Sequence, residues 1–332
     1  MDYDIIATLG PATATVIAWQ SLLKAGATRF RLNTSHLSPE AVERLIEALE
    51  AAFPEEAPAV VLDLQGSKWR LGAMDSTELG EGAEVVLGLE TDSISPEQRP
   101  DKRREEQWLP VPHPDFFEAA VRGGGIIRLN DARVELEITS VNGDSLRAVV
   151  RRGGPLSSRK GISIPSSTYR REGLMFKDAE ILRRTAGAAG VSYALSYVRD
   201  GEELKALAAA IPRQMRTIAK IERPEAVDAS GDIARSCDEI WLCRGDLGAE
   251  VGLVEMARTV HRVSGVLAEL PVPTLLAGQI LEHMTAAPQP TRSELCHLYD
   301  ILQLGYRGVV LSDETAVGSY PLDSCRVAAS FR

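Results

Sequence analysis

Short apolar runs recur along this chain at 4–9, 28–33, 59–64, 191–197, 217–222, 239–243, 272–277 and 308–311. Each is short and greasy enough to be a strand buried on both faces. Between them, 15–25, 38–53, 178–188, 201–210, 253–267 and 291–304 place apolar residues three and four apart, the period of a helix with one buried stripe. Ser38 followed by Pro39 puts a capping residue and then proline at the first helical position, a helix start. Strand and helix alternating over eight strands predicts an α/β fold, a (βα)8 TIM barrel. A doubly wound open sheet is the competing arrangement. The turn after the first strand reads Gly10-Pro11-Ala12, not a dinucleotide fingerprint, and no G-x-x-x-x-G-K-[ST] loop occurs.

The alternation breaks once, between the third strand and the helix near Asp178. There 79–89, 126–129, 132–138 and 146–151 alternate apolar and polar residues, separated by turns such as Asn142-Gly143-Asp144. That is an antiparallel β pattern. The expected organisation is a barrel domain over 1–66 and 169–332, with a small β-barrel lid, 67–168, inserted after strand 3. An insertion in a βα loop lies at the end of a barrel where sites are built. The polar stretch 91–106 reads as a loop, and its Lys102-Arg103-Arg104 as a solvated run.

Charge collects where the strands end. In Thr217–Gly252 two apolar runs terminate in Lys220 and Glu222 and in Arg244 and Asp246. Glu222 and Asp246 are hard oxygen donors suited to a Mg²⁺ that keeps waters and bridges to phosphate. Lys220 adds a cation for a phosphoryl or enolate oxygen. Taken singly, such groups are ordinary strand-end salt bridges; two neighbouring strands ending in KIE and RGD favour a site. Strand two ends in Arg31-Leu32-Asn33-Thr34-Ser35-His36, strand three in Asp63 through Arg70, strand four near Ser196 and Arg199. Strand seven ends in Gly278-Gln279 and strand eight in Ser312 through Thr315. All these clusters fall on one end of the barrel, and Arg31 and Arg70 are suited to bidentate contact with phosphate.

The net charge of −10 argues against a general nucleic-acid or membrane surface, but not against a small anion in a basic pocket. No apolar run reaches membrane-spanning length, and the acidic start has no signal-peptide pattern, so a cytoplasmic protein is expected. Cys237, Cys243, Cys296 and Cys325 form no CxxC pair and read as reduced, buried thiols. His113, His261, His283 and His297 lack zinc spacing and read as surface or helix-packing residues.

The motifs together resemble the pyruvate kinase family. IIATLGPAT, RLNTSH, KGISIP at Lys160, AKIE, RGDLGAE, PTRSE and LSDETAVGSYP follow that family's order and spacing over almost the whole chain. The resemblance implies a barrel with an inserted β lid. It implies phosphoryl transfer from phosphoenolpyruvate to ADP, giving pyruvate and ATP, with Mg²⁺ or Mn²⁺. Lys220 resembles the lysine that stabilises the transferring phosphoryl group and the enolate, and Glu222 and Asp246 the divalent-metal ligands. The backbone at Gly245 and Asp246 resembles the carboxylate cradle. Ser196 resembles a residue near the substrate phosphate. Arg31, Arg70, Asn33, His36 and Lys160 resemble residues around the nucleotide phosphates.

Four departures from that family shape further expectations. The chain stops at Arg332, where the family usually continues into a C-terminal effector domain. Without one, no sugar-phosphate activation is expected, and a homodimer would use barrel surfaces. Lys68 stands where potassium-dependent members carry a glutamate beside Asn33, Ser35 and Asp63. A tethered ammonium there supplies the charge of the monovalent ion, so no K⁺ requirement is expected. Gly278 replaces a threonine near the substrate carboxylate, and Ser319 a lysine. These two changes keep a second reading open, a metal-dependent lyase or decarboxylase acting on a 2-oxo acid through an enolate; a non-catalytic relative is a third.

Overall fold

The computed structural model describes residues 1–90, 107–123, 125–130, 132–165, 167, 173–212 and 215–332. The expected loop at 91–106, with Lys102, Arg103 and Arg104, lies outside these residues. The chain divides into two compact units, one formed by Met1–Gly66, Gly173–Leu247 and Val254–Arg332, the other by the described part of 67–172 with Gly248–Leu253.

The first unit is a closed parallel barrel of eight strands. They are β1 Asp4–Thr8, β2 Arg29–Asn33, β3 Val60–Leu64, β4 Val191–Leu195, β5 Arg216–Ile221, β6 Glu239–Cys243, β7 Thr274–Ala277 and β8 Gly308–Leu311. Each pairs with its sequence neighbours, and β8 closes on β1 through Asp4↔Gly308 and Ile6↔Val310. The expected strand positions hold to within two residues at each end. The expected helices appear as Val16–Lys24, Pro39–Ala52, Phe176–Thr185, Gly201–Ala210, Leu253–Ser264 and Arg292–Gln303. Thr15 and Ser38 cap the first two through their hydroxyls, and Thr291 and Glu294 form a capping box on the last.

Two-residue periodicity sorts the strand residues into layers inside the barrel. The middle layer is apolar: Ile6, Val61, Ala194, Ile218, Trp241, Leu275 and Val310 pack together. One repeat toward the strand starts, Arg29 and Glu239 plug the floor. Arg29 Nη2 reaches Glu239 Oε2 at 2.8 Å and Asp4 Oδ2 at 2.9 Å, and the Trp241 indole donates to Glu239 Oε1 at 2.6 Å. One repeat toward the strand ends, the same faces present Asp63, Ser196, Lys220 and Cys243. The alternation that buries the aliphatic layer therefore also aims the polar layer inward.

In the second unit, strands form a six-stranded sheet and a two-stranded ribbon, Thr77–Leu79 with Gly154–Leu156. The sheet order is Ile162–Ser163, Ile126–Leu129, Val134–Asn142, Ser145–Arg152, Glu84–Leu89 and Gln107–Val111. Its pairings are antiparallel except the last, where Glu84–Leu89 and Gln107–Val111 run parallel. That edge strand and the helix Pro114–Gly123 were not expected from the sequence pattern. The strand is short and carries Pro110, tolerable at an edge where one ladder side is unpaired. The helix turns Phe116, Phe117, Ala119 and Ala120 into a core shared with Trp69, Leu87, Leu109 and Leu136. Among the described residues, no helix is long and apolar enough to cross a membrane.

Candidate active site

At the carboxyl end of the barrel, Lys220 is the hub. Its ammonium lies 3.0 Å from Asp63 Oδ1 and 2.9 Å from Glu222 Oε1, and donates to Ser196 Oγ at 2.8 Å. Ser196 in turn donates to Asp63 Oδ1 at 3.2 Å. Arg31 closes the other side of Asp63, its Nε 2.8 Å from Oδ2, while Nη1 donates to Thr8 Oγ1 at 2.9 Å. Two cations and two carboxylates from β2, β3 and the end of β5 thus share one buried layer. Glu222 is fully buried and Asp63 nearly so. Removing any one member leaves an uncompensated charge, which costs far more than the net worth of the pair.

The electrostatics follow from that geometry. Burial by itself would push Lys220 toward the neutral amine, but Asp63 and Glu222 outweigh it and hold its pKa above the ordinary lysine value. Burial would likewise raise the Asp63 carboxyl, and Lys220 with Arg31 brings it below its usual range. Lys220 is therefore held as the ammonium, a positive charge fixed between Asp63 and Glu222 at neutral pH. Beside it, burial followed by the Glu222 charge pushes the Cys243 thiol well up, so it stays protonated.

Glu222 is aimed by the backbone. Tyr197 follows β4 at φ 59°, a left-handed conformation, and its N–H donates to Glu222 Oε2 at 2.8 Å. A non-glycine residue in that region stores strain, which concentrates at functional sites. The Lys220 ammonium and the Tyr197 N–H fall on different oxygens of Glu222, Oε1 and Oε2. Asp246 sits in the first turn of the helix Arg244–Val251 that follows β6. Among the described residues, no group of three or more His, Cys, Asp or Glu is arranged to hold a metal. A pair of carboxylates, completed by water and phosphate oxygens, is the donor set a small hard divalent cation takes.

Gly245 and Gly278 are brought together. A Cβ on Gly278 would lie 3.1 Å from Gly245 N, and Gly278 itself has φ 91°. The guanidinium of Arg244 pins this corner, donating to Gly278 O at 2.9 and 2.6 Å and to Gln279 O at 2.9 Å, with its Nη1 2.7 Å from His297 Nε2.

Asn33 and Ser35 belong to a short 3-10 turn after β2, where Asn33 Oδ1 accepts from Ser35 N at 3.2 Å. Lys177 donates to the Thr34 and Ser35 carbonyls at 2.6 and 3.3 Å. His36, on the same turn, is exposed, as is Ser319. Three expected site residues fall in the second unit, Lys68, Arg70 and Lys160. The Leu71 N–H donates to Lys160 O at 2.9 Å, and Arg70 pairs opposite Gly161.

Several positions depart from expectation. Asp63, expected only as a neighbour of a monovalent-ion site, is the central anion of the layer; a lone charge in the buried run VVLDL was the available signal. Asp178 was unmarked, yet it is fully buried and accepts from Gln65 N at 3.1 Å and Gly66 N at 2.9 Å, holding the turn after β3. His113, expected as a surface or helix-packing residue, is buried just before the helix Pro114–Gly123 and accepts from Arg70 N at 3.1 Å. The four cysteines are free, but Cys296 is exposed and Cys237 only half-buried.

The family model for the pyruvate kinase barrel domain matches residues 2–325. This chain belongs to the pyruvate kinase family. It is 32% identical over 326 residues to a pyruvate kinase of Agrobacterium vitis, covering 97% of this chain and 66% of that protein. A pyruvate kinase of Methylorubrum extorquens is also 32% identical, over 96% of this chain and 66% of its own length. One from Mycobacterium tuberculosis is 33% identical over 97% of this chain and 67% of its own. The chain thus spans about two thirds of the curated pyruvate kinases it matches.

Proposed function

We propose that this protein is a phosphotransferase that moves a phosphoryl group from phosphoenolpyruvate to ADP, yielding pyruvate and ATP. The observation that carries this reading is the Lys220 ammonium, held within 3.0 Å of both Asp63 and Glu222 and beside Ser196. Phosphoryl transfer needs positioned positive charge more than covalent chemistry. Arg31, Arg70, Asn33, His36 and Lys160 serve the nucleotide phosphates; Ser196 serves the substrate phosphate; the Gly245 and Asp246 amides, with Gly278 above them, receive the substrate carboxylate. Glu222 and Asp246 would hold Mg²⁺ or Mn²⁺, which when bound neutralises developing charge on phosphate and enolate oxygens.

Within this scheme Lys220 remains an ammonium from ground state to enolate, because two carboxylates fix its charge. Tyr197 and Asp178 keep Glu222 and the turn after β3 in place. Lys68 supplies a permanent unit charge, so turnover requires no K⁺. The enzyme is cytoplasmic.

The test is pyruvate formation from phosphoenolpyruvate and ADP with Mg²⁺ in a potassium-free buffer. Turnover that is lost in Lys220→Met supports the scheme. A folded, Mg²⁺-binding protein with no turnover would overturn it and direct attention to 2-oxo acids.

A further inference from the structure

The second unit contains an anchoring device that the phosphotransfer scheme does not use. The segment Lys68-Trp69-Arg70 is held from two sides. On one side it pairs with 159–162: Ile162 N donates to Trp69 O at 2.9 Å, Leu71 N to Lys160 O at 2.9 Å, and Arg70 Nη1 to Arg159 O at 2.9 Å. On the other side the segment before and at the start of the helix Pro114–Gly123 supplies two side-chain acceptors. His113 Nε2 takes the Arg70 N–H at 3.1 Å, and Asp115 Oδ2 takes the Trp69 indole N–H at 2.8 Å. The Trp69 ring is 1% exposed and packs edge-on against Phe116 at 5.6 Å.

Alternation along the extended segment then separates its side chains. Trp69 enters the core, while Lys68 and Arg70 fall on the opposite face. Arg70 is directly opposite Gly161. A Cβ on Gly161 would lie 2.7 Å from Lys68 Cε and 3.1 Å from Nζ, so the Lys68 side chain crosses the space that glycine leaves. Lys68, Arg70 and the neighbouring Lys160 thereby share one ribbon. Indole N–H and amide N–H are directional donors. Fixing both orients the backbone between them, and with it the two flanking cations.

We propose that His113 and Asp115 are positioning residues that set Arg70, beside Lys160 on this ribbon, for the polyphosphate of a nucleoside diphosphate. The assignment rests on the nucleotide reading above. His113 works as a neutral imidazole, Nδ1 carrying the proton, because Nε2 must accept. The charged groups facing it are Asp115 and Arg70. Neither His113 nor Asp115 touches the nucleotide; both act through the segment they hold.

The experiment compares the full chain with His113→Ala, Asp115→Ala, His113→Gln and Asp115→Asn. Glutamine and asparagine each keep an acceptor oxygen. Three readouts are taken: ADP affinity by calorimetry, KM for ADP and phosphoenolpyruvate with kcat, and amide hydrogen exchange over 68–72. The alanine variants are expected to exchange faster at 68–72 and to raise the ADP KM about tenfold, as small misplacements of binding groups do. The phosphoenolpyruvate KM should stay within about twofold, and the Gln and Asn variants should recover most of the ADP affinity. Wild-type protein that takes up ADP, with alanine variants binding it equally well, would overturn the assignment alone. Unchanged exchange at 68–72 would do the same. Wild-type protein that binds no ADP would sink the nucleotide reading and this assignment together.

Discussion

Lys220 Nζ and Asp63 Oδ1 lie 3.0 Å apart across the barrel interior, from strands that are not neighbours in the sheet. Asp63 also receives Arg31, so one carboxylate fixes two cations that the chemistry needs. Asp63→Asn removes the charge and keeps the shape. It should lower kcat for phosphoenolpyruvate and ADP by about 10²-fold, the scale of losing a preorganised electrostatic group. It should also destabilise the barrel by about 3–5 kcal/mol, the cost of uncompensated buried cations. Steady-state kinetics with thermal unfolding test both; an unchanged kcat would mean the layer is only structural.

Lys68 invites a charge-reversal test. Lys68→Glu is expected to make turnover depend on added KCl, with little activity in a bulky-cation salt, while the wild type responds to neither. A wild type already activated strongly by KCl would remove the proposed role of Lys68.

Gly278 cannot simply be reverted to the family threonine. At φ 91°, with Gly245 N 3.1 Å from the position of a Cβ, a β-branched residue meets both backbone strain and a close contact. Gly278→Thr is expected to lose about 1–3 kcal/mol of stability and to gain no activity. A variant that is more active and equally stable would contradict this account of the corner.

The barrel floor gives a stability prediction independent of catalysis. Glu239 is 1% exposed and receives Arg29 and the Trp241 indole. Glu239→Ala strands the indole donor and leaves Arg29 with Asp4 alone, and should cost about 3–5 kcal/mol. At temperatures where the variant is folded, its KM values should match the wild type, since the floor lies an apolar layer away from Lys220.

His113 adds a pH dependence. Burial holds its pKa at about 4, against an ordinary value of 6.5, with Arg70 assisting and Asp115 opposing. The unfolded chain therefore binds this proton more readily than the folded one. Stability is unaffected above pH 6.5 and declines as pH falls toward about 4, by at most about 3 kcal/mol. Hydrogen exchange in the second unit between pH 7 and 4.5 should track this, and His113→Gln should flatten it.

The eight strands, six of the helices and the end of the barrel that carries chemistry were legible in the sequence. Burial on both faces forces short apolar runs, and a parallel barrel puts every strand end on one side. Lys220 and Glu222, which the structure brings within 2.9 Å, were legible for the same reason, as charges that interrupt such runs. What the linear order could not supply was partnership across the barrel. Asp63 bonds to a lysine 157 positions later, and Tyr197 turns its N–H to Glu222 through a left-handed backbone that no local pattern announces. The acceptor role of His113 was not legible, because it exists only once Arg70 is brought against it. Period and hydrophobicity determined the elements; closure of the barrel and burial of the inserted unit decided which polar groups had to satisfy one another.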